Sequence, residues 1–183
     1  MSLKNKKNIN KIFQTLDKWV ITNGSGRYVP DNLFIKNNII YTPELFGIQQ
    51  VKSEIYSFCE ILLTKKLDNC LEIGLGYYGS THVLWKELFK RVYTIDINNN
   101  RILNFIENYN KFKKTSNALH PSSIFLNGSS NHPEILSKFK NDLKINTKTK
   151  YLDLLFIDGD HRYEYVLSDW INYHKFVRKR GIV

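Results

Sequence analysis

Residues 70–80 read CLEIGLGYYGS, and the fold turns on how they are understood. An apolar run, Cys70 to Ile73, leads into Gly74, Gly76 and Gly79, spaced as G-x-G-x-x-G. The pattern that follows, STHVLWKELFK (80–90), is helical. Strand, glycine turn and helix in that order form the context in which glycines let the backbone fold tightly and approach a ligand. The next helix then presents free N–H groups to an anion. The turn is therefore read as the seat of a nucleotide-type cofactor, of a kind the motif alone does not fix.

Outward from this stretch, strands and helices alternate. RVYTIDI (91–97) precedes the helical NRILNFIENYNKF, and SIFLNG (123–128) precedes HPEILSKFKNDL. LDLLFIDG (152–159) precedes RYEYVLSDWINYHKFVRK, after which RGIV (180–183) turns into a further strand. Such alternation implies an α/β fold, a Rossmann-like, doubly wound parallel sheet with helices on both faces. As read, the sheet is cut short after the start of its fifth strand. Residues 41–183 form this domain, and residues 1–40 form an N-terminal helix and loop extension. In that extension INKIFQTLDKWV (9–20) carries Ile9, Ile12, Phe13, Leu16 and Trp19 or Val20 on one face. TPELFGIQQVKSEIYSFCEILLTKK (42–66) reads as one long helix, with Thr42 as N-cap and Pro43 at its first position.

In sheets of this kind ligands bind beyond the carboxyl ends of the strands. Glu72 lies inside the first strand, where a buried carboxylate needs a partner. A cationic ligand group such as an amine would supply one, and an ion pair with Lys or Arg is the structural alternative. Asp96 ends the second strand, 22 residues beyond Gly74, the place of an acid that accepts from ribose hydroxyls in NAD and S-adenosylmethionine sites alike. The caps for the helix after it come from Asn98 to Asn100. Ser129 and Ser130 follow the third strand and suit either an adenine edge or a helix cap. Asp158, Asp160 and His161 follow the fourth, a grouping suited to general base chemistry or to a divalent metal. Asp160 is equally placed to cap the next helix.

LEIGLGYYGST resembles the first motif, E/D-x-G-x-G, of class I S-adenosylmethionine-dependent methyltransferases. LLFIDGDHRYEYVLSDW resembles a narrower group carrying F-I-D-G-D-H-x-Y-E, the small-molecule and sugar O-methyltransferases akin to the catechol type. The resemblance covers residues 41–183. It implies S-adenosylmethionine as cofactor, with Glu72, Gly74, Gly76, Tyr78, Gly79, Ser80, Asp96, Ser129 and Ser130 around it. It implies Asp158, Asp160 and His161 as catalytic residues acting on a hydroxyl of a small-molecule acceptor. In metal-dependent relatives the residue matching Asp158 is a magnesium ligand. That role is expected here only in a longer form that supplies the C-terminal ligands, and no ordered magnesium is expected on Asp158 as the sequence stands.

Net charge is +10, drawn from 21 Lys and only 6 Arg in a chain that also holds 20 Asn. The charge therefore reads as general composition, although Lys111 to Lys150 holds eight Lys against Glu134 and Asp142. That stretch gives the alternative, an RNA methyltransferase, and a non-catalytic nucleotide-binding module is a further one. No apolar run is long enough to cross a bilayer. Cys59 and Cys70 read as buried free thiols. A cytoplasmic protein is expected, as is self-association, a homodimer in the first instance, to cover an apolar fourth strand left at the sheet edge.

Overall fold

The computed structural model describes residues 3–23, 28–29, 48–115 and 122–183. Its centre is a five-stranded, all-parallel sheet. The strands are β3 (Asn69–Ile73), β4 (Arg91–Asp96), β5 (Ser122–Asn127), β6 (Leu152–Ile157) and β7 (Val177–Ile182), in the spatial order β5-β4-β3-β6-β7. The chain moves outward from β3 to β5, then returns to the other side of β3 as β6. The switch point of this Rossmann-like fold thus lies between β3 and β6.

The central strands are buried on both faces, which is why they read as continuous apolar runs. Their side chains alternate between two cores. Cys70, Val92 and Leu154 pack against α1 (Leu3–Thr22), α2 (Lys52–Leu62), α3 (Ser80–Leu88) and α4 (Asn99–Thr115). Leu71, Ile73, Tyr93, Ile95 and Leu155 pack against α5 (Pro133–Asn146) and Tyr173 of α6 (Tyr163–Tyr173). The predicted face of α1 is the buried one, with both Trp19 and Val20 inside. Cys59 and Cys70 are buried free thiols, and burial pushes Cys59 up to about 12.

Two expectations of local structure are corrected. The long helix over 42–66 is not formed. Ile48–Val51 is a strand, β2, paired in parallel with β1 (Tyr28–Val29), and helix begins only at Lys52. Thr42 and Pro43 lie outside the described residues. Likewise, the helix expected to run to Lys179 ends at Tyr173, followed by a 3-10 turn, and Val177 already begins β7. The fifth strand is thus longer than a bare beginning, and β6 is no edge, because β7 pairs with it. That pairing is irregular, with Leu152 opposite Val177 but Leu154 opposite Ile182. Self-association would have to use another surface than β6. Among the described residues no helix is long and apolar enough to cross a membrane.

Candidate active site

The ladder bonds continue one step past the strands and draw their ends into a row. Gly74 N–H donates to Ile95 O, Asp158 N–H to Ile73 O (2.8 Å each), and Gly128 N–H to Asp96 O (3.0 Å). Beyond this row lies a cavity of about 570 Å³. Of the residues singled out from the sequence, Gly74, Gly76, Asp96, Ser129, Ser130, Asp158, Asp160 and His161 line it. Glu72, Tyr78, Gly79 and Ser80 do not.

The glycine turn has two parts. Gly74 and Gly76 have φ of +94° and +69°, a region that favours glycine. A Cβ at Gly76 would meet nothing within 4 Å, so the backbone there borders open space. Gly79 serves packing instead, since a Cβ on it would lie 2.3 Å from the Phe105 ring. Tyr78 turns its carbonyl to the Trp19 indole N–H (3.2 Å). Its neighbour Tyr77 is the tyrosine that borders the cavity, with the Arg101 guanidinium 5.7 Å from its ring centre. Ser80 is buried at the start of α3.

Period-two alternation puts Glu72 on the face of Cys70, beneath α3 rather than in the cavity. There its Oε2 accepts from Thr94 Oγ1 (3.1 Å) and lies 3.4 Å from His82 Nδ1. His82 also contacts Thr94 Oγ1 (2.7 Å) and Ser123 Oγ (2.9 Å). The partner of Glu72 is thus a buried polar network, not the Lys or Arg considered above. Burial pushes the Glu72 carboxyl up to about 8 and holds His82 well below the usual imidazole range.

Asp96 has 5% of its surface exposed. Its Oδ2 accepts from Leu75 N–H (2.9 Å) and its Oδ1 from Asn98 N–H (2.7 Å), so it clamps the glycine turn while bordering the cavity. Asn98 in turn accepts from Arg101 N–H (3.2 Å) and caps α4, as expected. On the far wall, Ser129 Oγ accepts from Asn131 N–H (3.4 Å), and Tyr173 OH donates to Ser130 O (2.8 Å).

The groups after β6 divide. Asp158 is held between His161 Nε2 (3.4 Å) and the Gln50 amide (3.5 Å). Burial and the nearby Glu72 push its carboxyl up to about 6. Asp160 is exposed and grips Arg162, both by the side chain (2.7 Å to Nη2) and by the backbone N–H (3.0 Å), which lowers it to about 2. These bonds close a turn onto Arg162, and Asp160 does not cap α6, whose N-cap position is Arg162 itself, without a side-chain cap bond. Tyr77, Arg101 and Asp169 also border the cavity, although no motif marks them in the sequence. Asp169 borders the cavity from α6 and is buried. Among the described residues no group of three or more His, Cys, Asp or Glu is arranged to hold a metal ion. Asp158 stands with an imidazole and an amide rather than with further carboxylates, which does not fit a magnesium site.

An uncharacterized protein of Acanthamoeba polyphaga mimivirus is 44% identical over 39 residues, which are 21% of this chain and 18% of that protein. The chain thus matches less than a fifth of that relative's length. The fold is similar to the crystal structure of a precorrin 8W decarboxylase from the Methanobacterium thermoautotrophicum genome. The TM-score is 0.52 at 19% identity, over 84% of this chain and 69% of that one, a likeness of fold. Residues 71–183, from the glycine strand through β7, match the family model described as a methyltransferase domain. That match spans more than half of the chain and takes in the whole row of strand ends, and the chain accordingly belongs to the methyltransferase-domain family.

Proposed function

We propose that the chain is an S-adenosylmethionine-dependent methyltransferase acting on a hydroxyl of a small molecule or sugar. The observation that carries the cofactor is the open space beside Gly76, at a turn clamped by Asp96 and next to the β3–β6 switch point. Gly74 and Gly76 would hold the methionine portion by close backbone approach. Asp96 would face the ribose, and Ser129 and Ser130 the base. When bound, S-adenosylmethionine supplies an electrophilic methyl group.

The chain's own contribution is to position and deprotonate the acceptor. A neutral hydroxyl is a poor nucleophile, so a base must take its proton. His161 has Nε2 toward Asp158 Oδ1, which leaves Nδ1 to receive it. Asp158 then steadies the imidazolium. Asp160 is poorly suited to this work, since a carboxylate lowered to about 2 and bound to Arg162 is a weak base.

Titration calorimetry with S-adenosylhomocysteine and with NAD tests the cofactor. Heat from NAD alone overturns the reading. Transfer of labelled methyl to a panel of hydroxylated small molecules tests the chemistry. His161→Ala should lower turnover by about 10²-fold or more with cofactor affinity kept, and Asp160→Asn should change turnover little. The opposite order would reassign the base.

A further inference from the structure

The end of the sheet opposite the cavity gathers basic residues from four separate segments. Lys65 and Lys66 precede β3, Lys90 and Arg91 open β4, Lys148 and Lys150 precede β6, and Arg178, Lys179 and Arg180 lie in β7. Contacts join them around the start of β3. Lys65 Nζ donates to Arg180 O (3.5 Å), and Arg178 Nη2 to Lys66 O (2.7 Å). Asn69 Nδ2 donates to Thr149 Oγ1 (3.1 Å) and to Tyr151 O (2.9 Å), which brings in the Lys148–Lys150 loop. Two carboxylates belong to this group, and both are engaged. Asp68 bridges Lys66 (3.2 Å) and Lys90 (2.6 Å), and Asp153 pairs with Arg178 (2.6 Å). Lys148, Lys150, Lys179 and Arg180 are exposed and have no carboxylate partner among the described residues.

Two further observations separate this end from an ordinary solvated surface. Lys150 (φ 57°) and Arg180 (φ 67°) are the non-glycine residues with positive φ among those described. Such backbone is uncommon outside glycine and persists where the surroundings impose it, often at functional surfaces. Both instances are cations, and both lie here. In addition, the Tyr151 side chain stands 52% exposed beside Lys150. Unpaired cations that track a backbone, with an exposed aromatic ring among them, are the elements of a single-strand binding surface.

We infer that the amino-terminal end of the sheet docks the phosphodiester backbone of a single-stranded nucleic acid. Lys65, Lys148, Lys150, Lys179 and Arg180 meet phosphates, and Tyr151 stacks on a base. The strands separate this surface from the cavity. Six residues of β6 at about 3.3 Å each place the two roughly 20 Å apart. The docked nucleotides are therefore not themselves in the cavity, and the inference stands whatever the cavity methylates.

Fluorescence anisotropy with a labelled 20-nucleotide oligo(U) and oligo(dT), over a salt series, tests it. Binding should weaken steeply with salt. The combined variant Lys65→Gln, Lys148→Gln, Lys179→Gln, Arg180→Asn should flatten the slope of log K against log salt by roughly 3, at about 0.7 per lost contact. Lys65→Gln alone should flatten it by about 0.7, which serves if the combined variant does not melt cooperatively. Tyr151→Ala should lower affinity by about tenfold. Lys111→Gln with Lys138→Gln, at exposed helix positions elsewhere, should leave the slope unchanged. No binding to either oligonucleotide at 50 mM salt (about one third of physiological ionic strength) overturns the inference. So does an unchanged slope in the variants, or binding that is confined to phosphatidylserine vesicles.

Discussion

Gly74 and Asp158 meet across the seam between β3 and β6 with no room for a side chain between them. A Cβ on Gly74 would lie 2.2 Å from the Asp158 carbonyl oxygen. The residue that opens the glycine turn and the residue that follows β6 therefore share one set of van der Waals contacts.

Gly74→Ala should destabilise the fold by about 3 kcal/mol or more, from the clash and from the positive φ together. Gly76→Ala meets no clash and should cost only about 1–2 kcal/mol through its left-handed backbone. It should nonetheless abolish binding of S-adenosylhomocysteine, because the methyl occupies the open cradle. Thermal melts beside calorimetry separate the two effects. Intact binding in a folded Gly76→Ala protein would move the cofactor elsewhere.

Asp96→Ala should harm stability as well as binding. It strips the acceptor from two backbone N–H groups, those of Leu75 and Asn98; the Leu75 donor is left buried and unpaired at about 1–3 kcal/mol, while exposed Asn98 can turn to water. Urea unfolding of the ligand-free protein is the measurement. A midpoint equal to that of the wild type would show that Asp96 acts on the ligand alone.

Between pH 6.5 and 8 stability should fall as pH rises. Glu72 titrates near 4.5 when unfolded and at about 8 when folded, so the folded state holds the extra proton in this window and loses that advantage on the way up. The slope can approach about 1.4 kcal/mol per pH unit. His82 works the other way, but only below its unfolded value of 6.5. Asp158 adds to the fall only between 3.8 and about 6. Glu72→Gln should flatten the 6.5–8 segment in melts taken at half-unit steps. An equally steep segment in that variant would assign the titration to another group.

Asp169→Asn should leave stability at pH 8 unchanged or raise it. Burial lifts the Asp169 carboxyl above its ordinary value of 3.8, and its Oδ1 has no hydrogen-bond partner among the described residues. The charge therefore costs stability above that pH, and an amide removes the cost. A marked drop in melting temperature would reveal an interaction of the charged form.

The sheet, its order of elements and the row of residues at its carboxyl end were legible because they follow from local periodicity. Two-residue alternation marks the strands, three-to-four spacing marks the helices, and the switch-point rule points to the ends. What failed to be legible depends on distant partners. Ile48–Val51 sits in a helix-like stretch and becomes a strand only by pairing with residues 28–29. Val177–Lys179 continues a helical pattern but is claimed by the open edge of β6. Nearness to the glycines points Glu72 toward a ligand, whereas counting by twos along β3 puts it on the side of Cys70, under α3. Tyr77 and Tyr78 are alike as residue types, and the choice between them is visible only in the folded turn, where Tyr77 borders the cavity and the Tyr78 carbonyl meets Trp19.

That Trp19 bond reaches further than the choice of tyrosine. Trp19 belongs to α1, well before the first residue of the family match, yet it is 1% exposed and wedged against Phe105, Tyr109 and Phe112 at 5.3–5.8 Å. The glycine turn is thereby anchored to a helix that lies outside the family match. The stretch that matches the family and the stretch that holds the turn in place differ in extent. A chain trimmed to residues 71–183 would keep the motifs and lose their mooring, whereas a molecule that grips α1 holds a handle on the glycine turn.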